Sequence, residues 1–205
     1  MSDDARFMAL ALSLGRRGQG AVWPNPAVGC VIVQQGRIVG RGWTQPGGRP
    51  HAEPEALRQA GPAAKGATVY VTLEPCAHTG KTPPCADALV AADVARVVIA
   101  CTDSDPRVSG KGIAILQAAG ISVDVGVLAH EARADHMGFF LRIDAGRPMV
   151  SLKLASSFDG RIATATGESQ WITAPPARRA VHAMRSRHDA VMVGGGTARQ
   201  DDPSL

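Results

Sequence analysis

His51, Glu53, Cys76 and Cys85 are the residues whose types and spacing point to chemistry. They lie in the strings PHAEPEAL and LEPCAHTGKTPPC, with Cys76 placed 25 positions after His51 and Cys85 nine after Cys76. Zinc takes histidine nitrogen and cysteine sulfur in tetrahedral sites, and three protein ligands leave a fourth position for water. Bound zinc can lower the pKa of water from ~15.7 to ~7. Glu53, two residues past His51, can stand beside such a metal without ligating it and carry protons. Cys76 follows a strand and a proline at an expected helix N-terminus, where backbone N–H groups favour thiolate over thiol. The competing reading is a closed structural site, with His78 as its fourth ligand.

Composition sets the frame for that site. The chain has 205 residues, 45% hydrophobic and 20% charged, which is an ordinary globular balance. That is one large domain, or one complete domain and part of another. No run of about 18 apolar residues is present, so no membrane span or membrane partner is expected. The N-terminal MSDDARFMALALSL lacks a basic leader, so a cytoplasmic location is expected. The four cysteines, Cys30, Cys76, Cys85 and Cys101, then suit metal or catalytic use better than disulfides. Net charge is +4, of which +1 falls in 1–145 and +3 in 146–205. Neither part carries the dense basic run that nucleic-acid binding needs, so no nucleic-acid partner is expected.

Several elements must position the four residues. Asp3 or Asp4 caps a first helix that ends by Gly15 to Gly20. AVGCVIVQ (27–34) and RIVGRGW (37–43) flank Gln35-Gly36 and read as a hairpin. A short helix opens at His51 and runs to about Ala60. ATVYVTLE (67–74), ARVVIACTD (95–103) and ISVDVGV (121–127) read as strands, with helices from the cysteine loop to about Ala92 and from Gly112 to Gly120. Residues 128–142 read as one amphipathic helix. Strand–helix alternation after a hairpin predicts a mixed sheet layered by helices, an α/β fold. Asp144 to Pro148 marks a boundary between 1–145 and 146–205. Beyond it, MVSLKLASS (149–157) and HDAVMVGGGT (188–197) read as strands, the latter running into a glycine turn, with a helix over about Pro175–Arg187. This is too little for a closed α/β domain, so the second domain is expected to be cut short.

His-x-Glu followed by Pro-Cys and a second cysteine is the zinc-deaminase arrangement. Deaminases of free cytidine and of tRNA usually have two residues between the cysteines, whereas this chain has AHTGKTPP. PCAHTGKTPPC, PNPAVGCVIV (24–33), GRPHAE (48–53), VYVTLEPC (69–76) and SGKGI (109–113) resemble the bifunctional riboflavin-biosynthesis deaminase/reductases. SLKLASSFDGRIAT (151–164), GESQWIT (167–173) and Asp201-Asp202-Pro203 resemble the start of that family's reductase domain. Three positions depart from the usual pattern: Thr44, Glu55, and Asp105 within Asp103-Ser104-Asp105-Pro106.

The resemblance implies a three-layer cytidine-deaminase-like mixed sheet, followed by a truncated dihydrofolate-reductase-like domain. It implies one zinc on His51, Cys76 and Cys85, with Glu53 as proton shuttle, and a pyrimidine ribosyl phosphate as substrate. Asn25 matches a substrate-binding position, although it can equally cap its own turn. Lys81 matches another, although it can equally be a surface cation. In the reductase part, Ala155, Trp171, Thr197 and Asp201 match NADPH-contacting positions, and Ser169, Arg185 and Leu205 match substrate-contacting ones. Trp171 as a core aromatic and Arg185 as a solvated helix residue are the plain alternatives. Deaminase activity is expected of the chain, with reductase activity absent or impaired, in a homo-oligomer. Other zinc deaminases, or a non-catalytic zinc scaffold, are the competing readings. The cysteine insert and the reductase-like segment argue against the first, and Glu53 against the second.

Overall fold

The computed structural model describes residues 2–80 and 82–204, in two units, Met1–Met149 and Val150–Leu205. In the first unit, the chain opens with helix α1 (Asp3–Gly15). Its cap is Ser2, not Asp3 or Asp4: the Ser2 hydroxyl accepts the Ala5 N–H at 3.3 Å. Asp4 instead accepts the Tyr70 hydroxyl at 2.7 Å and two Arg96 N–H groups at 3.0 and 2.9 Å, which ties α1 to the sheet.

Strands β1 (Gly29–Gln34) and β2 (Arg37–Trp43) pair antiparallel. Gln35 and Gly36 both have positive φ, at 50° and 75°, which is the turn geometry that matches the twist of a two-residue hairpin. β1 pairs antiparallel with β3 (Thr68–Val71), and parallel pairing continues through β4 (Arg96–Ile99) to β5 (Ser122–Val125). The strand order is β2-β1-β3-β4-β5. This is the mixed sheet the residue pattern predicts. Val31, Ile32, Val69, Val71, Val97, Val98 and Ile99 are all fully buried, because both faces of the sheet are covered.

Glycines set how closely the helices lie. A Cβ on Gly29 would sit 1.9 Å from the Ala11 carbonyl of α1. A Cβ on Gly42 would sit 2.1 Å from the carbonyl of Ala52, in helix α2 (Ala52–Ala60), and one on Gly40 2.3 Å from that of Ala56. Gly42 pairs with Cys30, the neighbour of Gly29, so α1 and α2 lie on opposite faces. Helices α3 (Cys85–Ala91) and α4 (Lys111–Ala118) follow β3 and β4 in the chain.

The helix expected over 128–142 is two helices, α5 (Ala129–Asp135) and α6 (Met137–Ala145), broken at His136. His136 sits at φ −96°, ψ 7°, and its side chain turns inward to place Nε2 3.3 Å from Thr72 Oγ1. Thr72 Oγ1 also accepts the Gly29 N–H at 3.1 Å. Ala132, His136 and Phe140, four residues apart in turn, are all buried, so the joint keeps one inward face across both helices.

In the second unit, helices α7 (Pro175–Arg185) and α8 (Gly195–Asp201) form, but neither expected strand does. Segments 150–157 and 188–194 find no ladder partner among the described residues, and a strand exists only through its ladder. Val150, Leu152 and Leu154 accordingly remain 72–81% exposed. The glycine turn expected at 194–196 is instead the start of α8, capped by Gly194.

Two outcomes are expected. Gly42→Ala must lift α2 from the sheet, and denaturant titration should show a loss of about 1–3 kcal/mol, as for other overpacked interiors. His136 is held down to about 4 by burial, against an ordinary value of 6.5. As pH falls below 6.5, the unfolded chain takes up a proton that the folded chain refuses, so stability present above 6.5 is lost toward 4. The loss is at most roughly 3 kcal/mol. Comparing denaturant midpoints at pH 7 and pH 5 should show a smaller drop in His136→Gln than in the unchanged chain.

Candidate metal centre and active site

Three chain segments converge at the carboxyl ends of β3 and β4. His51 is the N-cap of α2. Cys76 lies in the loop after β3, and Cys85 is the first residue of α3. The helix start expected at Cys76 therefore falls at Cys85, because Pro83 and Pro84 keep the preceding loop extended. Cys76 still gains from that helix, since its Sγ accepts the Cys85 N–H at 3.2 Å.

His51 Nδ1 lies 3.3 Å from Cys85 Sγ and 3.7 Å from Cys76 Sγ, and one donor atom from each residue falls within 4.8 Å of the others. One nitrogen and two sulfurs at this separation fit the tetrahedral preference of zinc. Among the described residues no fourth His, Cys, Asp or Glu joins the group. His78, the candidate for closing a structural site, stays outside it, its buried Nδ1 without a hydrogen-bond partner among the described residues. The donor set is the open, three-ligand kind.

The electrostatics suit a cation. The Cys76 thiol is pulled down to about 4, chiefly by its hydrogen bond with Cys85, then by His51 and the Cys85 N–H. Cys85 is pushed up as the proton-bearing partner of that pair. His51 is raised by its contact with Cys76. Glu53, 4% exposed in the first turn of α2, is pushed up to about 7 by burial and by the Cys76 thiolate. A carboxyl poised there can both take and give a proton at neutral pH.

The centre floors a cleft of about 450 Å³. Asn25 lines it: its side-chain nitrogen donates to the Gly48 carbonyl at 2.6 Å and lies 3.4 Å from His51 Nε2. This leaves the Asn25 carbonyl oxygen as the group open to a ligand. Thr44, one of the departures from the usual pattern, is 1% exposed and locks the loop before β1. Its hydroxyl donates to the Pro26 carbonyl and accepts from the Val28 N–H, both at 3.0 Å. Glu55 points away from the cleft to pair with Arg58 at 2.9 Å. Asp105 makes a two-pronged pair with Arg107, at 3.0 and 2.5 Å, and drops to about 2 because of it. Asp103, buried in the same wall, is pushed up to about 6 by burial.

Lys81 and Leu205 lie outside the described residues. Ala155, Ser169, Trp171, Arg185, Thr197 and Asp201 all belong to the second unit, in which no described residue is buried. Trp171 is 69% exposed, with the Arg178 guanidinium carbon 4.2 Å from its ring centre.

Sequence reasoning missed Arg49, Arg142 and Asp103 as cleft residues. Arg49 had a signal, its place two residues before His51. Arg142 had none: its Nη2 donates to the Pro24 carbonyl across 118 positions, and its guanidinium lies about 5 Å from the Trp23 and Phe139 rings.

Comparison with known proteins agrees with this geometry. Residues 1–101 match the cytidine and deoxycytidylate deaminase zinc-binding region, and residues 148–205 match the RibD C-terminal domain. The riboflavin biosynthesis protein RibD of Escherichia coli K12 is 54% identical over 98% of this chain and 55% of its own length. That of Aquifex aeolicus is 50% identical over 98% of this chain and 57% of its own. The Thermotoga maritima diaminohydroxyphosphoribosylaminopyrimidine deaminase/5-amino-6-(5-phosphoribosylamino)uracil reductase has a TM-score of 0.91 at 43% identity, over 98% of this chain and 58% of that one. Acinetobacter baumannii RibD has a TM-score of 0.87 at 50% identity, with 98% and 56% covered. The chain spans about half the length of the curated relatives it matches. Identity at this level, along nearly every described residue and through both matched regions, means that the chain belongs to the RibD family of riboflavin-biosynthesis proteins, of which it carries the zinc-deaminase part and the beginning of the C-terminal domain.

Proposed function

We propose that the chain catalyses hydrolytic deamination of 2,5-diamino-6-ribosylamino-4(3H)-pyrimidinone 5′-phosphate to 5-amino-6-(5-phosphoribosylamino)uracil, a step of riboflavin biosynthesis. Water replaces the 2-amino group and ammonia leaves. The observation that carries this reading is the buried Glu53 carboxyl beside three zinc donors at the floor of an open cleft. Zinc on His51, Cys76 and Cys85 supplies the Lewis acidity that makes water nucleophilic near neutral pH. Glu53 takes one proton from the attacking water and gives it to the ring nitrogen, then takes the second proton from the added hydroxyl and gives it to the amine, which leaves as ammonia as the new carbonyl forms. Asn25 presents its carbonyl oxygen to the pyrimidine edge. Arg49 and Arg142 give the mouth a positive charge suited to a phosphate, with Arg107 held by Asp105. Lys81 is proposed to add a further cation.

The division into 1–145 as deaminase domain and 146–205 as the start of a reductase domain belongs to the same proposal. Complete, that second domain would use NADPH, contacted at Ala155, Trp171, Thr197 and Asp201, to reduce the ribosyl chain bound by Ser169, Arg185 and Leu205. The partner is thus a small molecule, in a cytoplasmic homo-oligomer. No helix among the described residues is long and apolar enough to cross a membrane.

Ammonia release from the diaminopyrimidine ribosyl phosphate, without NADPH, tests the reading. Release should need about one zinc per chain, stop on chelation and return when zinc is restored. Glu53→Gln should keep its zinc and lose ~10²-fold or more in kcat. Turnover surviving that substitution, or unaffected by metal removal, would sink the mechanism.

A further inference from the structure

Glu74 lies between the end of β3 and Cys76, a carboxylate buried at 3% exposure that the proposed chemistry does not use. It has no cationic partner among the described residues. Instead it accepts four backbone N–H groups. Oε2 takes those of Asp103 at 3.3 Å and Gly110 at 3.1 Å; Oε1 takes those of Gly112 at 3.1 Å and Ile113 at 3.3 Å. Three of these donors belong to the cap and first turn of α4, whose cap residue, Gly110, offers no side chain. Glu74 is thus a cap supplied from 36 to 39 positions away.

The same joint is closed by backbone contact. A Cβ on Gly112 would sit 2.0 Å from the carbonyl oxygen of Pro75, the residue between Glu74 and Cys76. The SGKGI string is therefore needed for a close approach. Between the Asp103 and Gly110 anchors runs the loop bearing Asp105, Arg107 and Val108, all facing the cleft.

We propose that Glu74 is a positioning residue: it fastens the 103–110 wall of the cleft to the chain segment that carries Cys76, so that the ligand-facing wall and the metal donor move as one body. The catalytic consequence rests on the proposed deaminase activity, whereas the mechanical one does not.

Glu74→Gln tests it. A glutamine amide keeps the shape but turns an NH2 group toward two N–H donors. In the zinc-loaded 205-residue chain, amide hydrogen exchange at 103–113 should accelerate about tenfold or more, while α2 and β1 stay protected. Zinc content should stay at one per chain. KM should rise about tenfold with kcat within about threefold, because the loosened wall binds substrate but does not do chemistry. Gly112→Ala keeps the Glu74 carboxylate but forces the same joint apart against the Pro75 carbonyl and should loosen the same segment, which serves if Glu74→Gln does not fold. Acceleration spread evenly over the whole sheet, no acceleration at all, or loss of kcat with KM unchanged would overturn the proposal. If the unaltered chain releases no ammonia, that result counts against the deaminase reading, and the exchange pattern alone decides the role of Glu74.

Discussion

Backbone pressed against backbone is the constraint on which the rest of the first unit depends. At Gly29, Gly42 and Gly112 a single added methyl would fall within about 2 Å of a carbonyl oxygen on a neighbouring element. These contacts bring α1, α2 and α4 nearer to the sheet and strand ends than side chains would permit. A histidine at a helix start and two cysteines on separate segments can meet within 4.8 Å only if those segments are packed this closely. The zinc donor geometry is thus inherited from glycine placement as much as from the donors themselves.

The cleft separates charge by depth. Its floor holds groups whose proton affinities are displaced by burial and by one another, chiefly Glu53 and the two thiols. Its upper wall pairs Asp105 with Arg107 and keeps Asp103 without a salt bridge among the described residues. Arg49 and Arg142 stand at the rim, the first tied to Thr82 at 2.6 Å. Departures from the usual family residues fall on supports around the metal, not on it. Thr44 fastens a loop, Asp105 neutralises a cation, and Glu55 faces away.

The metal centre was legible because local strings carry it: each donor sits beside a proline or in a short motif. The hairpin and the mixed sheet were legible because β-branched runs and a Gln-Gly turn encode them at short range. Features that depend on distance were not legible. Arg142 reaches the cleft through tertiary packing alone. His136, at the break, contacts Thr72, 64 positions earlier, which no periodicity in 128–142 reveals. In the second unit, apolar alternation gives 150–157 and 188–194 strand-like character, but character becomes a strand only when another strand lies beside it.

The break at His136 carries a further consequence. Phe139 and Arg142 are three residues apart on α6 and both line the cleft, and that face is set by the register in which α6 follows His136, whose carbonyl accepts the Phe140 N–H at 3.0 Å. Each residue added to a helix rotates every later position by about 100°. A single insertion or deletion between His136 and Phe139 would leave the hydrophobic content and the zinc donors untouched, yet would swing the guanidinium from the rim into solvent. The length of that short stretch therefore sets whether the guanidinium lines the cleft.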